Sequence, residues 1–259
     1  RRRFTIEPDC LPVQIASMQN DAPDASSINV RPRGFDEIDC WVFDLDNTLY
    51  PVTKRLLEHI DRHMGSFVAK FLGVDSDEAH RIQKQYFREY GLTLRGLMIH
   101  HDLDPAQYYD EMTPMDLDEV DPNPALAQSI ASLPGRKVIY TNASANHAAL
   151  VLERLGMKGL FEVIYDIEAA NWVPKPAIES YRLLCKQHDI DPIRAVMIDD
   201  IAGNLEPADQ LGMMTVWMKT AAEWARDTKA EAHIHHLTGD LKSWVDDVAY
   251  DLANDRSRA

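Results

Sequence analysis

Short apolar runs recur along the chain, and each of the first four ends at an acid or a hydroxyl residue. The runs lack alternation of polar and apolar positions, which is typical of strands buried on both faces of a parallel sheet. Helical patterns such as those at 145–155 and 177–187 separate them, and this order predicts a doubly wound, Rossmann-like α/β sheet with right-handed crossovers. The predicted strands are residues 40–43, 138–140, 163–165, 195–198 and 214–217.

One stretch departs from this rhythm, because residues 48–121 contain helical patterns and no convincing strand. We therefore predict a small all-helical cap, inserted after the first strand and lying over the strand ends like a lid. The predicted helices are residues 52–72, 75–90, 94–100 and 105–112. The predicted division is an N-terminal extension at 1–34, a core at 35–50 and 121–245, the cap at 51–120, and a solvated C-terminal tail at 246–259.

Composition excludes several classes of partner. A net charge of −15 over 259 residues argues against binding to nucleic-acid polymers or anionic membranes. Proteins bind these anionic partners mainly through lysine and arginine side chains. No apolar run approaches the roughly 20 residues that span a bilayer. Three widely separated cysteines, Cys10, Cys40 and Cys185, form no disulfide framework and fit a reducing cytoplasm. We expect a soluble cytoplasmic protein that acts on a small molecule, with both a monomer and a homodimer left open.

Two carboxylates, Asp44 and Asp46, follow the first predicted strand at a spacing of two. In a parallel sheet, ligands bind beyond the carboxyl ends of the strands, so both acids can approach one substrate. A carboxylate such as Asp44 can attack phosphorus and form an aspartyl phosphate. Asp46 can then protonate the leaving alcohol and later take a proton from the hydrolytic water.

Attack by a carboxylate on a phosphate is opposed by charge, so the site needs cations and hydrogen-bond donors. Asp199 and Asp200, with Asp44 and the Asp46 backbone carbonyl, would form an oxygen-only pocket suited to Mg²⁺. The remaining candidates are phosphate contacts: Thr141 and Asn142, at a strand-to-helix turn, and Lys175, between two prolines.

The four segments Asp44-x-Asp46-x-Thr48, Thr141-Asn142, Lys175 and Asp199-Asp200-x-x-x-Asn204 resemble, in order, the four motifs of the haloacid dehalogenase (HAD) superfamily. The helical insert resembles that superfamily's C1 cap. The resemblance implies Asp44 as nucleophile and metal ligand, Asp46 as acid and base, Thr141 and Lys175 as phosphate binders, Asp200 as metal ligand, and Asp199 as metal-bound through water. The second carboxylate, absent from dehalogenase members, favours phosphoryl transfer.

The segments at residues 44–51 and 90–97 resemble the pyrimidine 5'-nucleotidase branch of the superfamily. That resemblance implies hydrolysis of a nucleoside monophosphate such as UMP or CMP, with Thr93 and Arg95 of the cap as candidate substrate contacts. Alternatively, Arg95 pairs with one of the cap's acids. The rival enzymes are a phosphatase or mutase acting on a sugar phosphate or phosphoglycolate, and a phosphonate hydrolase using Lys54. A rival of another class is a binding protein with a relict site.

Overall fold

A computed structural model describes residues 34–111, 117–220 and 232–256. Within these ranges the strands form one parallel sheet of order β3-β2-β1-β4-β5-β6. Their bounds are β1 Cys40–Phe43, β2 Arg136–Tyr140, β3 Val163–Tyr165, β4 Ala195–Asp199, β5 Met214–Met218 and β6 His236–Thr238. The five predicted strands are confirmed, and β6 adds a short edge strand. The predicted extension at 1–34 falls outside the described residues apart from Gly34.

Helices cover both faces of the sheet, as the prediction of a doubly wound fold requires. Alternate residues of β1 enter different apolar clusters: Trp41 and Phe43 lie on one face, and Cys40 and Val42 on the other. The chain winds outward from β1 in both directions, so the strand order reverses between β1 and β4, where such folds bind ligands. The core helices are α5 Pro124–Ser132, α6 Ala145–Arg154, α7 Ile178–His188, α8 Ala202–Gln210 and α9 Leu241–Arg256.

Helix α9 corrects the predicted C-terminal tail. The sequence after Asp246 is rich in acids and was expected to be solvated, with the core ending at 245. In the structure Val245, Val248 and Leu252 are buried in the same apolar cluster as β1. Asp247 and Asp251 are exposed, and the apolar residues at spacings of three and four line the inner face of an amphipathic helix. The core therefore continues into the segment predicted to be a tail.

Among the described residues between β1 and α5 there are four helices: α1 Lys54–Leu72, α2 Ser76–Tyr90, α3 Thr93–His101 and α4 Pro105–Glu111. Thr53 and Asp75 accept hydrogen bonds from the first turns of α1 and α2, and Gly73 and Gly91 end these helices in the left-handed conformation. The helices share a buried cluster that includes Phe67, Val68, Tyr86, Leu94 and Leu97. Phe87 of α2, by contrast, is 59% exposed. The domain boundaries stay a prediction.

In the described part of the chain, no helix combines the length and apolar character needed to cross a membrane.

Gly135, in the turn before β2, lies close to the backbone at the start of β1. A Cβ atom there would lie 2.4 Å from the backbone oxygen of Asp39, at a φ of +77°. We expect Gly135→Ala to lower the free energy of unfolding by more than about 2 kcal/mol, measured by denaturant titration, since strain and overlap add. Gly156→Ala is the control: φ is +76° with no atom within 4 Å, so only about 1 kcal/mol of strain applies. Equal losses would show that the close approach carries no cost.

Candidate active site

The carboxyl ends of β1 and β4 adjoin at the centre of the sheet, where Phe43 pairs with Ile198. Asp44 directly follows β1, Asp199 ends β4, and Asp200 comes next. The three carboxylates are buried, and one oxygen of each lies within 4.8 Å of the others. Three of the four acids predicted to form a metal pocket therefore lie together. This follows from the register, because neighbouring parallel strands deliver their last residues to one edge.

Lys175 joins two of these acids. Its Nζ atom lies 2.7 Å from Asp44 Oδ1 and 2.6 Å from Asp199 Oδ2, and it donates to the carbonyl oxygen of Tyr140 at 3.0 Å. Burial alone would lower the pKa of Lys175, but the Asp199 and Asp44 carboxylates raise it well above its usual value. The predicted cation is therefore present as a buried, fully charged ammonium.

Asn142 holds the segment that carries Lys175. The Asn142 Oδ1 atom accepts from the Lys175 main-chain N–H at 2.8 Å, and its Nδ2 atom donates to the Lys175 carbonyl at 3.3 Å. The Asn142 side chain thus positions the lysine. Any contact between the Asn142 main-chain N–H and a phosphoryl oxygen stays a prediction.

Thr141 follows β2, as predicted, and is buried. Its Oγ1 atom accepts a hydrogen bond from the Ala143 N–H at 3.0 Å, while its own N–H donates to Tyr165. A hydroxyl that accepts one hydrogen bond keeps its hydrogen available for donation. Thr141 can therefore both close the turn after β2 and donate to an anion at the strand ends.

Burial together with neighbouring acids shifts the pKa values of Asp44 and Asp200. Burial raises the pKa of Asp44 to about 7; Lys175 opposes this shift and Asp199 reinforces it. Burial, followed by the charges of Asp199 and Asp44, raises the pKa of Asp200 to about 8. Burial is thus the main cause of both shifts, and the neighbouring carboxylates add to it.

The hydrogen-bond partners of these acids separate their roles. Asp199 accepts from Ile201 and Asn204 at Oδ1 and from Lys175 at Oδ2. Among the described residues, by contrast, the buried Asp200 Oδ2 atom has no hydrogen-bond partner. An unpaired buried carboxylate oxygen is costly, and a hard cation is the partner that an oxygen-only site prefers. The residues present therefore fit Mg²⁺, with Asp44 and Asp200 as the carboxylates best placed to hold it.

Asp46 lies in a different environment from Asp44. Its Oδ1 atom accepts from the Tyr50 hydroxyl at 2.5 Å and lies 3.2 Å from His147 Nε2, while 35% of its side chain is exposed. Burial would raise the pKa of Asp46, but the hydrogen bonds from His147 and Tyr50 lower it. The Asp46 carboxylate does not belong to the group formed by Asp44, Asp199 and Asp200, and the backbone carbonyl of Asp46 stays a predicted metal ligand.

Sequence reasoning did not assign roles to Tyr50 and His147. Tyr50 belongs to the segment that carries the first motif, so its proximity to Asp46 was visible as a spacing of four. His147 lies 101 positions beyond Asp46, in the first turn of α6. The available signal was its place in the helix that follows Thr141, since the first turn of such a helix faces the strand ends.

The two predicted cap contacts have different surroundings. Thr93 is buried, and its hydroxyl donates to the Gln83 carbonyl at 3.1 Å, which ties α3 to α2; a substrate contact by Thr93 stays a prediction. Arg95 donates from Nη1 to the carbonyl oxygen of Trp172 at 2.6 Å. Among the described residues, Arg95 thus bonds to the loop that also carries Lys175 and not to a cap acid, which was the alternative interpretation.

Comparison with known proteins agrees with this geometry. Residues 38–212 match the family model described as haloacid dehalogenase-like hydrolase. "Phosphate metabolism protein 8" from Saccharomyces cerevisiae is 30% identical over 191 residues, which are 67% of this chain and 59% of that protein. The match thus spans less than two thirds of the yeast protein's length.

Two solved structures share the fold. CbbY from Rhodobacter sphaeroides in complex with phosphate is 18% identical, with a TM-score of 0.54 over 79% of this chain and 95% of that one. A HAD phosphatase from Thermococcus onnurineus is also 18% identical, with a TM-score of 0.54 over 80% of this chain and 96% of that one. With the matched family model, the four motifs and the sheet order, these findings establish that the chain belongs to the haloacid dehalogenase-like hydrolase family.

Proposed function

We propose that this protein is a Mg²⁺-dependent phosphomonoester hydrolase that works through an aspartyl phosphate on Asp44. The observation that carries the proposal is the buried Asp44 carboxylate, bonded to Lys175 and grouped with Asp199 and Asp200 at the centre of the sheet. Asp46, the second carboxylate of the motif, lies two residues away and is partly exposed. This combination suits phosphoryl transfer, which needs a nucleophile, a proton carrier and positive charge.

The proposed reaction has two halves. A carboxylate oxygen of Asp44 attacks phosphorus, the bond to the ester oxygen breaks, and Asp46 gives its proton to the departing alcohol. Water then attacks phosphorus, Asp46 takes the water's proton, and the Asp44 carboxylate departs, which restores the starting site. Lys175 neutralises Asp44 and stabilises charge on the phosphoryl oxygens, and Thr141 donates a hydrogen bond to one of them.

Mg²⁺ would be held by Asp44 and Asp200 and by the backbone carbonyl of Asp46, with Asp199 acting through water. When bound, the ion supplies positive charge that brings two anions together. Support comes from the unpaired Asp200 oxygen and from the raised pKa values of Asp44 and Asp200.

The proposed substrate is a nucleoside monophosphate of the pyrimidine type. This proposal is supported by the resemblance of residues 44–51 and 90–97 and by the position of Arg95 beside the loop at Trp172. A guanidinium carries five N–H donors, so the one bonded to Trp172 leaves others for base carbonyls or ribose hydroxyls. The yeast relative is named for phosphate metabolism, which agrees with a phosphate ester of some kind. A sugar phosphate or phosphoglycolate phosphatase or mutase is the alternative.

The nucleophile is tested with Asp44→Asn. An amide cannot form the acyl phosphate, so we expect phosphate release to fall at least about a thousandfold while the fold is kept. The control is Asp39→Asn at the amino end of the same strand, where the half-exposed carboxylate pairs with Arg194 away from the site. Full activity in the Asp44 variant would contradict the mechanism.

The metal is tested by thermal unfolding with and without Mg²⁺. The pKa of an aspartate in the unfolded chain is about 3.8, whereas in the folded protein that of Asp44 is about 7 and that of Asp200 about 8. At pH values between these limits, the folded metal-free protein therefore holds more protons than the unfolded chain. Its free energy of unfolding therefore falls as pH rises through this window. Mg²⁺ needs both carboxylates ionised, so its stabilising effect grows with pH.

At about pH 8.5 we expect Mg²⁺ at roughly 100 times its dissociation constant to raise Tm by about 5 to 10 °C, and clearly less at about pH 5.5. Asp200→Asn removes a metal ligand and should lose most of this gain, whereas Asp39→Asn should keep it. An equal gain at both pH values, or none, would exclude metal binding by these acids.

The substrate class is tested by measuring kcat/KM for free phosphate release across pyrimidine and purine monophosphates, sugar phosphates and phosphoglycolate. We expect UMP and CMP to exceed the non-nucleotide esters by about tenfold or more, because a base contact contributes about 1 to 3 kcal/mol. Analysis of the organic product separates a phosphatase from a mutase, which would return an isomerised phosphate ester. Preference for a sugar phosphate would reject the nucleotidase assignment and leave the phosphatase chemistry intact.

A further inference from the structure

Both hydrogen bonds to the Asp46 side chain fall on one of its oxygens. The Tyr50 hydroxyl donates to Oδ1 at 2.5 Å, and His147 Nε2 approaches the same atom at 3.2 Å. A carboxylate oxygen has two lone pairs, so two donors occupy Oδ1. An ionised carboxylate has no hydrogen to give, so His147 must carry its proton on Nε2.

Each donor is fixed by its own surroundings. Tyr50 is 5% exposed and belongs to the main apolar cluster of the core, four residues after Asp46. His147 is 8% exposed and lies in the first turn of α6, where its main-chain N–H donates to the Ser144 hydroxyl at 3.3 Å. Asp46 itself is only partly covered, with 35% of its side chain exposed. Two fixed side chains therefore bond to Oδ1 of Asp46, and Oδ2 is left available to other partners.

We propose that Tyr50 and His147 are positioning residues that hold the Oδ1 edge of Asp46, so that Oδ2 is the oxygen that exchanges protons with substrate. The inference rests on the proposed function. In the first half-reaction the proton passes from Oδ2 to the ester oxygen as its bond to phosphorus breaks. In the second half, the proton of the attacking water returns to Oδ2. Oδ1 stays bonded to Tyr50 and His147 throughout.

The physical reason is orientation. Proton transfer needs the acid within hydrogen-bond reach of the reacting oxygen, and a small misplacement can cost about a hundredfold in rate. A partly exposed aspartate without these two donors would rotate and bond to water. The surrounding apolar core fixes Tyr50, and helix α6 fixes His147. The orientation of Asp46 is therefore set by the folded core.

The test compares two esters whose leaving groups differ in their need for a proton. An alkyl phosphate expels an alkoxide and depends on the general acid, whereas p-nitrophenyl phosphate expels a stable phenolate and does not. The quantity measured is kcat/KM, since it contains only the steps up to release of the alcohol. The later hydrolysis of the aspartyl phosphate, common to both esters, does not enter it.

We expect Tyr50→Phe and His147→Ala each to lower kcat/KM for the alkyl ester about tenfold or more, a part of the ~10²- to 10⁴-fold contribution of a positioned acid. The kcat/KM of both variants for p-nitrophenyl phosphate should stay within about twofold of the wild-type value. His147→Gln, which keeps an N–H donor at similar reach, should recover most of the alkyl rate. Asp46→Asn should show the same selectivity, and adding His147→Ala to it should cause no further loss.

Tyr165→Phe is the matched control, because it removes a buried hydroxyl that donates to the Ser180 carbonyl at 3.3 Å, away from Asp46. Both esters should keep their rates in this variant. If wild-type protein hydrolyses neither ester, the proposed function itself fails. If wild type is active and both esters lose equally in Tyr50→Phe and His147→Ala, the positioning inference is overturned and the phosphatase stands. Tyr50→Phe, which is nearly isosteric, decides the matter if His147→Ala does not fold.

Discussion

The site depends on the ion pairs that Lys175 makes with Asp44 and Asp199, at 2.7 and 2.6 Å. All three side chains are buried, and buried charges persist only when they are paired and hydrogen-bonded. Removing the ammonium would leave two carboxylates facing each other without a counter-ion. Lys175 lies 131 positions from Asp44, so one cation joins the end of β1, the end of β4 and the loop before α7. The Asp200 Oδ2 atom, which has no hydrogen-bond partner among the described residues, leaves an oxygen ligand available for a dication.

The loop that carries Lys175 is also where the helical insert contacts the core. Arg95 bonds to the carbonyl of Trp172, three residues before Lys175, and Gly91 lies against the Lys175 backbone, where an added Cβ would be 3.5 Å from its carbonyl oxygen. The Trp172 side chain packs onto the apolar cluster of the insert. Any movement of the insert against the core must therefore change contacts of the segment that carries Lys175.

The two acids of the first motif show how environment separates groups that sequence spacing leaves alike. Asp44 is buried beside other acids, and its pKa is raised. Asp46 is partly exposed and bonded to two donors, and its pKa is lowered. Divergent environments of this kind are how one fold assigns different tasks to neighbouring carboxylates.

Local pattern was enough to predict the five main strands, the helices of the insert and the acids at the strand ends. Buried parallel strands need unbroken apolar runs, and the residue after such a run must lie at the edge where ligands bind. The grouping of Asp44, Asp199 and Asp200 follows from this rule, although 155 positions separate the first two.

Tertiary packing decided what the pattern could not. Whether α9 is solvated depends on a partner surface, which Val245, Val248 and Leu252 find against the sheet. The Thr93 hydroxyl bonds to the Gln83 carbonyl, and the Asn142 side chain bonds to the Lys175 backbone, partners that the local pattern did not predict. His147 reaches Asp46 only because the crossover after β2 places the start of α6 beside β1. The sequence by itself determined which residues could do chemistry, while the fold determined which of their hydrogen bonds were already satisfied, because that depends on neighbours distant along the chain.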